Sequence, residues 1–456
     1  MVNKSPLQSR YLPWIFVTLV LVAVSLAGCV QPTSIPTLDT TPPSAITGLG
    51  TTDAYDGRVN LWWDMSTAED FDHYNIYVGE SAIVDVNGIT PVQQIKGIAT
   101  NTFQATGLKP GTKYYFAVTA VDQSGNENKQ VIGVSAIPTK HVTLDVPTLV
   151  SVPDEAITRK FIWKYDGIDW DWEAEIPKQI YQTLHNKPRP RADTDSVYVT
   201  HSLDDIFFQK LTAVLSADGE NLGFTNYQVV ELAVLFVQTI PYSLDIDTTG
   251  REEYPRYPIE TLVDGTGDCE DHAILLAELL RSMNYDAIML HYLGEPIGHV
   301  AIGVADTGNM YGYHYDYNDK SYYYIETTAT GWKIGDPPEE FKRFAYFWDL
   351  VPIPVLGCER WEWPAFAGTM PLELTIYNDG TAPALGVTAY ACLDAGGNNM
   401  VWAEAQTTMD IPPEETRTVT LELTFPNHPI RTRVIYRIIY GGYKVDEGFS
   451  DWFDYS

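Results

Sequence analysis

Gly265-Thr266-Gly267-Asp268-Cys269-Glu270-Asp271-His272 carries one of the 4 cysteines of a 456-residue chain. The two glycines permit a tight approach, Asp268 is a helix-capping residue type, and Asp271 follows three residues later, the spacing of a capping box. Apolar residues recur at helical period over 273–283, so Cys269 is expected in the first turn of a helix. Free backbone N–H groups and the positive end of the helix dipole favour a thiolate there, the species that attacks carbonyls.

A cysteine nucleophile needs a base and a group that orients the base. Three strand-like runs lie downstream, at 287–292, 299–304 and 322–327. His299 opens the second and Glu326 lies on the third, so a helix start and two neighbouring strands can bring thiol, imidazole and carboxylate together. Upstream, Val229, Val230, Leu232, Ala233, Phe236 and Val237 share one broad face of a helix predicted over 227–240. Helices followed by antiparallel strands make residues 157–355 an α+β module.

Three motifs in order, Gly267-Asp268-Cys269-Glu270-Asp271-His272-Ala273, Gly298-His299-Val300-Ala301 and Tyr324-Ile325-Glu326-Thr327-Thr328, resemble the transglutaminase-like, papain-related cysteine superfamily in its bacterial and archaeal branch. The resemblance covers the whole middle module. It implies Cys269 as nucleophile, His299 as general base and acid, and Glu326 as orienter, with no cofactor. Asp is the commoner third residue, and Glu is one methylene longer, so Asp316 and Asp319 are the alternatives. The resemblance also suggests an oxyanion glutamine, for which Gln238 is the candidate; a glutamine ending a helix before Pro241 has a structural explanation too.

His272, one turn from Cys269, reads as a packing or hydrogen-bonding residue, and His291 and His314 as structural. His291, His299 and Asp306 lack the spacing of a known metal motif, so no metal is expected. The run Tyr311-Gly312-Tyr313-His314-Tyr315-Asp316-Tyr317 either lines a substrate groove or packs on itself. Trp163, Trp170 and Trp172 read as core anchors.

The flanks are strand-patterned. Residues 42–140 alternate in short runs between turn signals, and Pro42-Pro43, Trp62-Trp63 and Gly107-Leu108-Lys109-Pro110-Gly111-Thr112-Lys113-Tyr114 resemble a fibronectin type III β-sandwich. Residues 365–456 are similar to the immunoglobulin-like, adhesion-type β-sandwiches of surface proteins. Neither flank carries a convergent polar cluster; such domains serve as spacers or protein contacts. Cys358 and Cys392 are candidates for pairing, at a distance the sequence does not fix.

At the N-terminus Lys4 and Arg10 precede an uncharged apolar run that ends in Leu26-Ala27-Gly28-Cys29. This resembles a signal peptide with the lipobox of exported lipoproteins over 1–29, which implies lipid attachment at Cys29. An uncleaved anchor over residues 12–30 is the alternative. Residues 30–41, rich in Pro and Thr, form a tether. The expected location is therefore the cell membrane, lipid-anchored and facing outside, with the membrane engaged only through that lipid or anchor.

Length agrees with this plan, since one domain takes roughly 150 residues. With 45% hydrophobic, 12% aromatic and 20% charged residues the composition is globular. Twenty-nine Lys+Arg against 60 Asp+Glu give a net charge of −31, which repels a phosphate backbone and excludes nucleic acid as a partner. The charge is uneven: +1 over 1–40, −4 over 41–140, −20 over 141–360 and −8 over 361–456. Acid concentrated around the cysteine predicts a peptide or protein substrate that is cationic or lysine-bearing; adaptation to a salty medium is the plain alternative. Two functions compete. One is a surface-anchored cysteine peptidase, amidase or transglutaminase-like acyltransferase. The other is a non-catalytic adhesion or scaffold protein with a transglutaminase-like binding module, making surface-protein contacts through its β-sandwiches.

Overall fold

The computed structural model describes residues 38–149, 155–190, 192, 194–294, 298–308, 310–362, 368–397 and 400–456. The expected signal peptide, Cys29 and the expected tether up to residue 37 lie outside them. Among the described residues no helix is long and apolar enough to cross a membrane. The chain divides into two compact units. One holds residues 38–50, 62–102 and 115–134; the other holds 51–61, 103–114 and the described residues from Ser135 onward.

In the first unit the strands Gln93–Lys96, Phe71–Gly79 and Tyr114–Asp122 pair in that order, antiparallel. Buried Trp63 meets Tyr74 edge-on at 5.4 Å, and the Tyr74 hydroxyl donates to the Ile98 carbonyl, so a large apolar body keeps its polar tip satisfied.

The second unit begins with the strands Gly50–Tyr55, Arg58–Trp62 and Thr102–Ala105 in one sheet. A hairpin follows, Ala156–Tyr165 with Ile168–Pro177, turned through Asp166 and Gly167, both at positive φ as a tight two-residue hairpin turn demands. Trp163 pairs directly with Trp170, their rings stacked 6.0 Å apart; Trp163 and Trp172 pack on Phe236, and Trp170 packs on Phe224. All three tryptophans are buried, as core anchors should be.

Helix Cys269–Ser282 is the centre of this unit and is buried from Asp271 through Leu280. Helices Asp205–Asn221, Asn226–Gln238 and Pro258–Asp264 surround it, and its apolar residues on every side follow from that position. Beside it lies a five-stranded antiparallel sheet in the order His314–Tyr317, Lys320–Ile325, His299–Ala305, Ala287–Tyr292, Tyr346–Asp349. Side chains alternate between its faces. Met289, Ile302, Val304 and Ile325 join the helical core, while Leu290, Tyr292, Tyr322 and Tyr324 form a second, aromatic core.

The strand expected over 322–327 ends earlier, at Ile325. The reason is local: the N–H groups of Thr327 and Thr328 are spent on the Glu326 side chain, 3.0 Å each, and are lost to the ladder. The C-terminal segment forms two antiparallel sheets around one core. Leu356–Glu362, Thr369–Asn378 and Glu415–Thr424 make one; Val401–Ile411, Ala384–Asp394, Val434–Tyr440 and Tyr443–Phe449 make the other. Cys358 and Cys392 stand on different sheets and are not joined in a disulfide.

Candidate active site

Gly265 closes helix Pro258–Asp264 in the left-handed conformation, at φ 68°. Two residues on, a Cβ at Gly267 would lie 2.5 Å from Asp271 Cβ, so only glycine lets the loop lie against the next helix. The Asp268 N–H donates to Asp271 Oδ2 at 3.3 Å in the expected capping box, and Cys269 opens the helix. Arg256 fixes this turn from behind. Its Nη1 reaches Asp271 at 2.5 Å and Asp245 at 2.8 Å, its Nε reaches Asp264 at 3.1 Å, and it is 1% exposed. Three carboxylates hold that guanidinium charged even in the interior.

His299 opens its strand on the aromatic face. Its ring stacks on Phe341 at 4.2 Å and lies 6.3 Å from that of Tyr292, its cross-strand partner. Nε2 lies 3.1 Å from Glu326 Oε2. The Tyr324 hydroxyl donates to the same oxygen at 2.7 Å, and Oε1 accepts from the N–H groups of Thr327 and Thr328 and from Thr328 Oγ1 at 2.7 Å. Burial alone pushes the Glu326 carboxyl up, but His299 and the Thr328 donors outweigh it and lower the pKa to about 2. Glu326 is therefore an ionised carboxylate at neutral pH although only 2% exposed.

The backbone of Val300 lies close enough to the sulfur of Cys269 to favour its thiolate, which places the thiol near the start of the His299 strand. The thiol hydrogen points elsewhere, to Glu270 Oε2 at 3.2 Å. Burial first, and then the Glu270 charge, push the thiol pKa well above its ordinary value. Asp268 and Glu270 are raised in turn, by burial foremost, with the Glu270 charge adding to it at Asp268. In this arrangement the sulfur rests as a thiol among carboxyl groups.

Gln238 is buried against the site but faces differently from the expected oxyanion donor. Its Nε2 gives both hydrogens to main-chain carbonyls, Glu326 at 2.8 Å and Trp332 at 3.2 Å, leaving none for an oxyanion. Two carbonyls around that nitrogen also fix which end of the amide is which. His272 acts in the same way: Nδ1 lies 3.1 Å from the Thr327 carbonyl, and burial lowers its pKa to about 4, so it is a neutral donor. Gln238 and His272 thus clamp the turn that carries Glu326.

Asp316, 80% exposed in its side chain, bonds Ser321, and Asp319 lies in the adjoining turn at φ 61°; neither meets His299. His291 sits on the opposite face of the sheet from His299, 3.3 Å from Asp195, and Asp306 bonds the N–H of Gly308, so that trio does not assemble. Asp245, Asp268 and Glu270 do gather their oxygens within 4.8 Å of one another. The tyrosine run packs on itself and on the sheet: Tyr313 on Tyr315, Tyr315 and Tyr317 on Phe347, and the Tyr315 hydroxyl 2.9 Å from that of Tyr292.

Sequence reasoning passed over Tyr324 and Thr328 as carboxylate donors, Phe341 as the platform under His299, and Arg256. It also passed over Tyr242, whose backbone bridges Gly267 and whose phenol is pushed up by burial and by Cys269.

Comparison with known proteins gives a fibronectin type III domain over residues 42–133 and a transglutaminase-like domain over residues 209–336. No curated protein matches the chain. Among solved structures, the spore cortex lytic enzyme SleM of Clostridium perfringens is 18% identical over 21% of this chain and 28% of its own, with a TM-score of 0.18. The fibronectin type III domain of human contactin 1 is 16% identical over 25% of this chain and 94% of its own, with a TM-score of 0.19. FN3tt is 23% identical over 22% of this chain and 96% of its own, at 0.17.

Proposed function

We propose, for a chain in which a fibronectin type III domain precedes a transglutaminase-like domain, that the central module is a thiol enzyme acting by acyl transfer on peptide or protein amides. The observation that carries this reading is the ionised Glu326 held 3.1 Å from Nε2 of His299 by four further donors, on a strand whose next residue, Val300, has its backbone close to Cys269. Glu326 fixes the imidazole with its other nitrogen unspent on the carboxylate. His299 takes the Cys269 proton, and the sulfur attacks the amide carbonyl. As the tetrahedral adduct collapses, the C–N bond breaks, the amine leaves with the proton from His299, and a thioester remains. Water or a second amine, deprotonated by His299, then displaces the sulfur, giving hydrolysis or cross-linking. The main-chain N–H of Cys269 at the helix start supplies a donor for the oxyanion, the role Gln238 does not fill.

The enzyme stands outside the cell, tethered at Cys29 by lipid, with the C-terminal sheets as an immunoglobulin-like contact module. The carboxyl groups at the sulfur favour lysine-bearing partners. A second reading has its own support, because the thiol is bonded to Glu270 and raised in pKa, as suits a scaffold that has kept the fold without turnover. Iodoacetamide titration of Cys269 over pH separates the two. An enzyme gives a reactive thiol below its ordinary pKa of about 8.5, shifted upward by His299→Ala. A curve at or above that value and indifferent to His299→Ala leaves the scaffold.

A further inference from the structure

Against the acidity of the central module stands a cavity of about 940 Å³ whose walls include Arg159, Lys187, Arg251 and Arg256. Asp264 is the carboxylate among its lining residues, and Thr266, three residues before Cys269, lies at its edge. Four cations to one acid reverses the balance of the whole chain, 29 to 60.

Which of these charges is spent decides what the cavity can hold. Arg256 is consumed by Asp245, Asp264 and Asp271, and Lys187 by Glu414 at 3.0 Å. Arg159 bonds only carbonyls, Val263 at 2.6 Å and Thr158 at 3.0 Å, which satisfy hydrogens without cancelling charge. Arg251 lies 5.1 Å from the centre of the Tyr254 ring, and that ring has Arg189 at 4.0 Å as well. Among the described residues neither Arg159 nor Arg251 has a carboxylate within ion-pair distance, and both are exposed. Neutral donors are already engaged: the hydroxyls of Thr249 and Thr266 bond the carbonyls of Asp245 and Pro241. Recognition in this cavity therefore falls to two uncompensated guanidiniums, whose forked geometry suits carboxylates.

We propose that the cavity binds the acidic side chains of a peptide whose scissile or acyl-donating residue reaches Cys269, with Arg251 and Arg159 taking the carboxylates. The inference rests on the acyl-transfer reading for the fate of that peptide, and on the cavity alone for its binding. It gives the site two signs. Carboxyl groups crowd the sulfur, and Arg256 divides them from a basic cavity on its other side. An acidic flank outside the cavity would be repelled, so the acidic residues have one place to dock.

The test is binding without turnover. The full chain carrying Cys269→Ala is titrated into a fluorescein-labelled peptide with three glutamates beside a glutamine, and into the same peptide with those glutamates replaced by glutamine. The acidic peptide should bind about tenfold tighter at low salt, with the gap closing in 1 M NaCl. Arg251→Gln and Arg159→Gln should each remove severalfold of the advantage, while Lys210→Gln, an equal loss of charge elsewhere, removes none. Equal affinity for the two peptides, or an equal effect of Lys210→Gln, would overturn the proposal. So would binding of tripolyphosphate without binding of the glutamate peptide, which assigns the cavity to a phosphate ligand. An unreactive Cys269 in the iodoacetamide titration would sink acyl transfer and leave this binding result standing, so the two failures are distinguishable.

Discussion

Glu326, in the turn just past its strand, and His299, at the start of the neighbouring strand, meet at 3.1 Å, and the carboxylate is otherwise saturated by donors from Tyr324, Thr327 and Thr328. Because Oε1 is pinned by the turn, Oε2 has one orientation toward the imidazole. Glu326→Gln should leave the fold but present an N–H or a weaker acceptor to Nε2, raising the apparent thiol pKa of Cys269 by about 1 unit in the iodoacetamide profile. Glu326→Asp keeps the charge and withdraws it by a methylene, so its profile should fall between. An unchanged profile for both would remove Glu326 from the mechanism.

Two buried groups lose a contribution to stability as the pH falls. Glu326 titrates near 2 when folded and near 4.5 when unfolded, so its contribution is complete above about pH 4.5 and lost as the pH falls toward 2. His272 is lowered from 6.5 to about 4. It is neutral in both states above pH 6.5, and the unfolded chain binds its proton first, so its contribution falls from about pH 6.5 down to 4. Each is worth about 3 kcal/mol over its window. The carboxyl groups of Asp268, Glu270, Asp271 and Glu278, raised on folding, act in the opposite sense between pH 8 and 4, so the histidine is read by difference. In urea unfolding followed by tryptophan emission, the difference in stability between the unsubstituted chain and His272→Gln should shift by about 3 kcal/mol from pH 6.5 to 4, to the cost of the unsubstituted chain. A difference that stays constant over that window would contradict the burial of His272 as a neutral ring.

Much of the site was legible because its signals are local or periodic. Cys269 at a helix start follows from Asp268 and the spacing to Asp271, His299 falls on a strand by alternation, and Glu326 follows directly after one. What the alternation hid is the turn after Ile325, where side-chain acceptance by Glu326 takes over the backbone donors. Gln238 was misread for a related reason, since the carbonyls that absorb its amide come from residues 326 and 332, far away in sequence. Arg256 gave no periodic signal, its partners lying 11, 8 and 15 residues off on three segments. The basic cavity was masked by the net charge, which averages away cations gathered from separate elements. Among the C-terminal strands, Val401–Ile411 gives little sequence signal, because its residues are exposed or half-buried, with Ile411 as its one buried end.

Arg256 joins helix Pro258–Asp264, the Asp245 turn and the first turn of the Cys269 helix. Removing it strands Asp245 and Asp271, each no more than 1% exposed, without a counter-charge. Arg256→Met should therefore cost about 3–5 kcal/mol in urea unfolding at pH 7. Arg256→Lys should recover only part of this, since one ammonium cannot face three carboxylates in fixed directions. The loss should shrink at pH 4 as the stranded carboxyl groups protonate. A cost below about 1 kcal/mol at pH 7 would mean the three acids already rest neutral.

Glu270 is the nearest charge to the sulfur, and that bears on which reagents the thiol accepts. Two unit charges about 4 Å apart interact by about 4 kcal/mol at an effective dielectric constant of 20, more than a Debye-screened charge farther off can supply. The sign at Cys269 should therefore follow Glu270 and Asp268 rather than the basic cavity, whose nearest guanidinium, Arg256, is already neutralised by three carboxylates. A cationic methanethiosulfonate should modify Cys269 at least tenfold faster than an anionic one of equal size at pH 8 and low salt, with the ratio falling as salt is added. Glu270→Gln should cut the ratio severalfold, and it should also lower the thiol pKa, because a neutral amide no longer opposes the thiolate. The same substitution should stabilise the fold at pH 8 and not at pH 4. The Glu270 and Asp268 pKa values are raised on folding, so their cost appears as the pH climbs above the unfolded carboxyl range and is absent below it. Equal rates for the two reagents at low salt would dismiss the acidic cluster as a selector of lysine-bearing partners, and the acidity of the module would then belong to its solvent.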